Sequence, residues 1–173
     1  GVLKALEGNA EYVGYWDADL ATPLEELPVF IDLYEHYPDK QFISGARIQR
    51  LGADISRHWY RHYPGRLIAT SISMVLGLPM YDSQCGAKLI KKELAEKIFS
   101  DPFTSPWLFD VELIARIIGN LGRDGAKKVI LEHPLSVWHE IGQSKISFSY
   151  LPKIPIELFR IASRYRKELR RNQ

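Results

Sequence analysis

Residues 11–27, EYVGYWDADLATPLEEL, join an apolar run to a helix-start signal across a turn that carries two aspartates. A strand that stops and a helix that begins within so few residues form the joint of an α/β fold. The helix side is marked by Thr22-Pro23-Leu24-Glu25, which offers an N-cap, a proline at the first helical position and a capping-box glutamate; the expected helix runs to Tyr37. The strand side is residues 12–16.

The same alternation continues down the chain. QFISGAR (41–47) reads as a strand leading into a loop. The basic, aromatic stretch at 47–67 reads as partly helical and interrupted at Pro64-Gly65, and an apolar helix follows over 67–76. CGAKLI (85–90) predicts a short strand, 91–99 a helix, and 109–122 an amphipathic helix ended by glycine. Strands are expected at 127–133 and 135–140 about Pro134, and an amphipathic helix over 151–171. With no repeat, low-complexity segment or linker, the expected fold class is α/β in one unit.

At 173 residues the chain is long enough for one real core and short for two domains. A formal charge of +2 does not argue for nucleic acid, and no nucleic-acid partner is expected. The charge is uneven, however: residues 153–173 carry +5 and the remainder −3. One cysteine, Cys85, excludes an internal disulfide and suits a reducing compartment. No run of 18 apolar residues is present.

Side chains alternate across a strand, so Asp17 and Asp19 are expected to share a side, opposed by Ala18, and to project beyond the sheet's carboxyl edge, where α/β proteins bind ligands. Two hard oxygen donors at that spacing suit Mg²⁺ or Mn²⁺ held together with substrate phosphates. They equally suit an Asx turn with Thr22 capping the next helix, which needs no metal. A phosphatase of the haloacid-dehalogenase type also uses D-x-D after a strand. It would want a hydroxyl or β-branched residue where this chain has Ala21.

Other stretches carry chemistry less pointedly. Arg47 follows a strand, and Arg50, Arg57, Arg61 and Arg66 come after it; guanidinium groups fork onto phosphate oxygens, though a solvated basic helix face explains most of these residues singly. DSQCGAKLI (82–90) sets Gln84, Cys85, Gly86 and Lys88 immediately before a strand. Asp110 and Glu112 open a helix, where they complement its dipole; Asp110 alternatively serves as a general base. Trp138, His139, Glu140 and Lys145 surround a glycine loop, with His139 as a further candidate metal ligand.

In this order, YWDADLATPLEEL, SGAR, DSQCGAKLI, WLFDVELI and VWHEIGQSK resemble a family 2 glycosyltransferase of the GT-A fold, of the polyprenyl-phosphate hexosyltransferase branch. The resemblance runs from Gly1 to about Lys145. It implies a Rossmann-like mixed sheet flanked by helices, lacking the N-terminal nucleotide-binding strands, with residues 1–150 as the C-terminal part of the catalytic domain. It also implies a metal site at Asp17 and Asp19 for Mg²⁺ or Mn²⁺, Asp17 binding the donor diphosphate, and catalytic roles for Asp110 and Asp19. Arg47, Arg57 and Arg61 would meet phosphate, and Gln84 and Lys88 would line the sugar and acceptor side.

The implied reaction is inverting transfer of a hexose from a nucleotide-sugar to a polyprenyl phosphate. A hydroxyl acceptor with Asp110 as base, and a non-catalytic remnant serving as an interaction module, are the alternatives. In residues 151–173, Ile154, Leu158, Ile161 and Tyr165 lie at helical spacing with Lys and Arg around them. Such a helix can rest on an anionic bilayer or pack into the core. The expected location is cytoplasmic, at the membrane surface.

Overall fold

The computed structural model describes residues 1–56, 59–141 and 153–170, with backbone alone at 59–64 and 170. The strands are β1 (Tyr12–Tyr15), β2 (Phe42–Ala46), β3 (Asp54–Ser56), β4 (Lys88–Lys91), β5 (Ile130–Pro134) and β6 (Val137–His139). The helices are α1 (Val2–Leu6), α2 (Leu27–His36), α3 (Trp59–Leu76), α4 (Lys92–Ile98), α5 (Phe109–Val129), α6 (Lys153–Arg164) and α7 (Arg166–Arg170).

Strands β1, β4, β2 and β5 form one mixed sheet in that order. Strand β4 runs antiparallel to both β1 and β2, and β2 runs parallel to β5. The sheet is apolar on both faces because both are covered. Val13, Phe42 and Ile90 turn to the layer of α3, α4 and α5. Ile43 and Leu89 turn the other way, onto Phe30 and Tyr34 of α2 and onto Ile55, Leu135 and Trp138. The expected mixed sheet between helices is what the chain forms.

Local details differ from the sequence expectations, each for a physical reason. Thr22 does not cap a helix: its buried hydroxyl has no hydrogen-bond partner among the described residues, and a 3-10 turn (Leu24–Glu26) that follows Pro23 precedes α2. Glu26, rather than Glu25, is the glutamate that binds backbone, accepting from the amides of Ser136 and Val137 at 3.0 and 3.1 Å. Helix α3 runs through Pro64 and Gly65 without a break; proline there removes one backbone donor, and the remaining turns carry the helix.

The glycine stop lies where expected, at Gly122, with φ 73°, a left-handed conformation that favours glycine. The chain then resumes helix to Val129, so β5 starts at Ile130 rather than at Lys127. Strand β4 starts at Lys88, leaving 85–87 as loop. The segment at 54–56, read as part of a helical region, pairs in parallel with β6.

The C-terminal segment forms two helices that share the main core. Ile154, Leu158, Ile161 and Leu169 are buried in it, and Tyr165 packs against it. Of the two roles open to the stripe at 154, 158 and 161, core packing is the one adopted.

Candidate functional site

The acidic turn begins where β1 ends. Strand pairing stops at Tyr15, so Asp17 and Asp19 lie on a turn, not on a continued strand, and strand alternation does not set their directions. The Leu20 amide donates to the Asp17 carbonyl at 2.9 Å, and Leu20 takes φ 54°. The Asp19 carboxylate accepts the Ala21 amide at 3.2 Å, an Asx turn. The Ala21 carbonyl accepts the His139 amide at 3.0 Å, which fastens β6 to the turn.

Asp17 is exposed, but its carboxyl lies over Gly86: a Cβ at position 86 would sit 2.0 Å from the Asp17 carboxyl carbon. Glycine permits this close approach, and the contact joins the acidic turn to the 82–88 loop. Partial burial, then the charge of Asp19, pushes the Asp17 carboxyl up; Arg47 and Lys88 pull it down.

Arg47 leaves the end of β2 and is spent inside the protein. Its Nε and Nη2 fork onto Asp82 at 2.6 and 2.7 Å, its amide donates to the same carboxylate at 3.1 Å, and its guanidinium lies 5.4 Å from the Trp138 ring centre. Burial works to raise the Asp82 carboxyl, and Arg47 outweighs it, so the carboxyl is held below its ordinary value. Glu132 on β5 accepts the amides of Tyr81 and Asp82 at 2.8 and 2.5 Å, fixing the loop from behind.

Lys88, at the start of β4, has no exposed surface. Its ammonium lies 2.7 Å from Asp110 Oδ1 and donates to the Cys85 carbonyl at 2.5 Å. Asp110 opens α5, as expected, and is buried. Tyr15 was not among the residues read as functional, yet its hydroxyl donates to the same Asp110 Oδ1 at 2.5 Å. The available signal was an aromatic residue at a strand end, two positions ahead of the acids.

The structure therefore places Asp17 on Gly86 and pairs Lys88 with Asp110, and the charges of Arg47, Lys88 and Asp110 all bear on the Asp17 carboxyl. Gln84 lies half-buried on the loop beside them, without a side-chain hydrogen bond among the described residues. Arg57 and Lys145 lie outside the described residues; of Arg61 only the backbone is described, within α3. Cys85 is buried, and burial first, with Asp82 adding, pushes its thiol up to about 11, which removes it as a nucleophile. His139 Nε2 lies 2.7 Å from Asp54, both exposed.

Glu112 has a heavier structural role than dipole complementation. Fully buried, it accepts from the Thr104 amide at 2.7 Å, the Tyr165 hydroxyl at 2.9 Å and Arg116 at 3.1 Å, pinning α5 to the C-terminal helices.

No group of three or more His, Cys, Asp or Glu side chains among the described residues could hold a metal ion. The Asp17–Asp19 pair nevertheless fits a hard divalent cation. Mg²⁺ is ordinarily bound by one or two carboxylates with substrate phosphates completing the shell, and the pair supplies carboxylates of that kind.

No family model matches the sequence. The chain is 30% identical over 168 residues to dolichyl-phosphate beta-glucosyltransferase ALG5C of Trichomonas vaginalis, covering 95% of this chain and 48% of that protein. It is 34% identical over 68 residues to the dolichyl-phosphate beta-glucosyltransferase of Saccharomyces cerevisiae, covering 39% and 18%. The chain spans about half the length, or less, of the curated relatives it matches. Among solved structures, glucosyl-3-phosphoglycerate synthase from Mycobacterium tuberculosis, in complex with uridine diphosphate, matches with a TM-score of 0.59. That match has 16% identity and covers 92% of this chain and 53% of that one.

Proposed function

Because the chain belongs to the family 2 glycosyltransferases of the GT-A fold, we propose that residues 1–150 are the C-terminal part of a catalytic domain. Its reaction is transfer of a hexose, with inversion, from a nucleotide-sugar to a polyprenyl phosphate of the dolichyl type. The relatives' names support the acceptor, and the uridine diphosphate in complex with the structural neighbour supports the donor. The observation that carries the reading is the acidic turn seated on Gly86 beside the Lys88–Asp110 pair.

Asp17 and Asp19 would hold Mg²⁺ or Mn²⁺, whose chemistry is to neutralise charge gathering on the departing diphosphate. An acceptor phosphate oxygen attacks the anomeric carbon. The bond from that carbon to the diphosphate breaks, and the diphosphate leaves with the electron pair. A phosphate acceptor is already an anion at neutral pH, so positioning matters more than proton removal. Asp110, held by Lys88, orients the reacting sugar or acceptor through its second oxygen. Gln84 lines the same side, and Arg57 and Arg61 receive the acceptor phosphate. Arg47 acts on the phosphates from its place on Asp82, by charge rather than through its fork.

Peripheral contact with the cytoplasmic side of a membrane belongs to this reading. No helix among the described residues is long and apolar enough to cross a membrane. With the 154, 158 and 161 stripe in the core, the face of α6 left for a bilayer carries Ile156 and Phe159, 53% and 72% exposed, with Arg160 beside them.

The test is transfer from several nucleotide-sugars to polyprenyl phosphate with Mn²⁺, in the protein as its gene encodes it. Asp17→Asn and Asp19→Asn should each lower turnover about 10²-fold. A wild-type protein inactive with every donor would remove the reading.

A further inference from the structure

We propose that Tyr15 is a positioning residue for Asp110, an inference that rests on the transferase reading above. Two donors from different strands converge on one carboxylate oxygen. Tyr15 ends β1 and Lys88 begins β4, and the two are direct partners in the antiparallel ladder. The Tyr15 hydroxyl reaches Asp110 Oδ1 at 2.5 Å and the Lys88 ammonium reaches it at 2.7 Å. Among the described residues nothing bonds Oδ2.

A carboxylate held by one donor can swing about its terminal torsion, which is broad. Held on the same oxygen by two donors of fixed origin, it presents the other oxygen in one direction. Both donors are themselves fixed. The Tyr15 ring packs on Phe109 at 5.6 Å between centres, and Lys88 is tied to the Cys85 carbonyl. Lys88 supplies the compensating charge, so Tyr15 contributes direction alone. Its loss leaves the ion pair intact and removes only the constraint on Oδ2. Misplacement of a reacting group by about 1 Å costs on the order of 10²-fold in rate, so a partial loosening is worth roughly 10-fold.

Tyr15→Phe keeps the ring and deletes the hydroxyl. The variant and the wild type are compared for kcat, for donor and acceptor KM, and for melting temperature, in the same transfer assay. The expected result is kcat lowered about 10-fold with both KM values within twofold and the melting temperature within a few degrees. Unchanged kcat overturns the proposal, as does a collapse in melting temperature, which would make the hydroxyl a structural group. A rise in KM without a fall in kcat assigns Tyr15 to binding and overturns it as well. Absence of turnover in the wild type is a different failure: it removes the transferase reading, and with it the step Tyr15 would serve.

Discussion

Replacing Gly86 by alanine separates the site from the fold. The new Cβ would fall 2.0 Å from the carboxyl carbon and Oδ2 of Asp17, and 2.2 Å from Oδ1. Non-bonded carbon atoms settle at about 3.5 Å, so the carboxyl must retreat by roughly 1.5 Å. Gly86 is not among the positive-φ glycines, so alanine fits its backbone. Asp17 is exposed and can swing to another rotamer at a cost of about 1 kcal/mol. Against that, a glycine-to-alanine change at a compatible position stabilises by about 0.4–1 kcal/mol through the unfolded chain.

The two terms nearly cancel, and the melting temperature should move by no more than a few degrees. Function has no such compensation. Metal–oxygen distances hold to about 0.2 Å, and a shift of 1.5 Å withdraws the ligand. Mn²⁺ affinity, read by calorimetry in the presence of nucleoside diphosphate, should fall at least about 10-fold, and turnover about 10²-fold. A Gly86→Ala protein with both quantities within twofold of wild type would refute the reasoning, because Asp17 would then work from a position the structure does not give it.

Two further expectations concern the C-terminal helices. Burial works to raise the Glu112 carboxyl, but hydrogen bonds from the Thr104 amide, Tyr165 and Arg116 outweigh it and hold it below its ordinary 4.5. A depressed carboxyl stabilises the fold above that ordinary value, and the contribution is lost as pH falls through the lower folded value. Urea midpoints should therefore drop below about pH 4.5 more steeply for wild type than for Glu112→Gln; parallel curves would contradict this. For the membrane face, Ile156→Ser with Phe159→Ser should weaken co-sedimentation with anionic liposomes several-fold while leaving the melting temperature near wild type. Unchanged binding would take α6 off the bilayer. Deleting residues 151–173 is a poorer probe, since it also strips Ile154, Leu158 and Ile161 from the core.

The alternation of strand and helix was legible because apolar runs and glycine stops are local signals. Gly122 and the start of α5 at Phe109 follow from them directly. The pairing of β3 with β6 was not legible, since three residues within a basic stretch carry no period, and only Ser136 to His139 arriving alongside makes 54–56 a strand. Residues read from separate motifs came together in two contacts, Asp17 on Gly86 and Lys88 on Asp110. What the sequence hid was partnership. Nothing in SGAR says that Arg47 is claimed by Asp82, and nothing in YVGYW says that Tyr15 reaches 95 positions ahead to a helix end. Such contacts depend on sheet order, which tertiary packing fixes.

The buried lysine on β4 also protects the sheet from misassembly. Side chains along a strand alternate faces, so a slip of one residue against β1 and β2 would exchange Lys88 with Ala87 or Leu89. The ammonium would then be driven into the apolar layer around Ile43 and Phe30, away from Asp110, which would lose its counter-charge. A buried unpaired ion costs several kcal/mol, so the Lys88–Asp110 ion pair doubles as a proofreading device: only the correctly zipped sheet can hide that lysine.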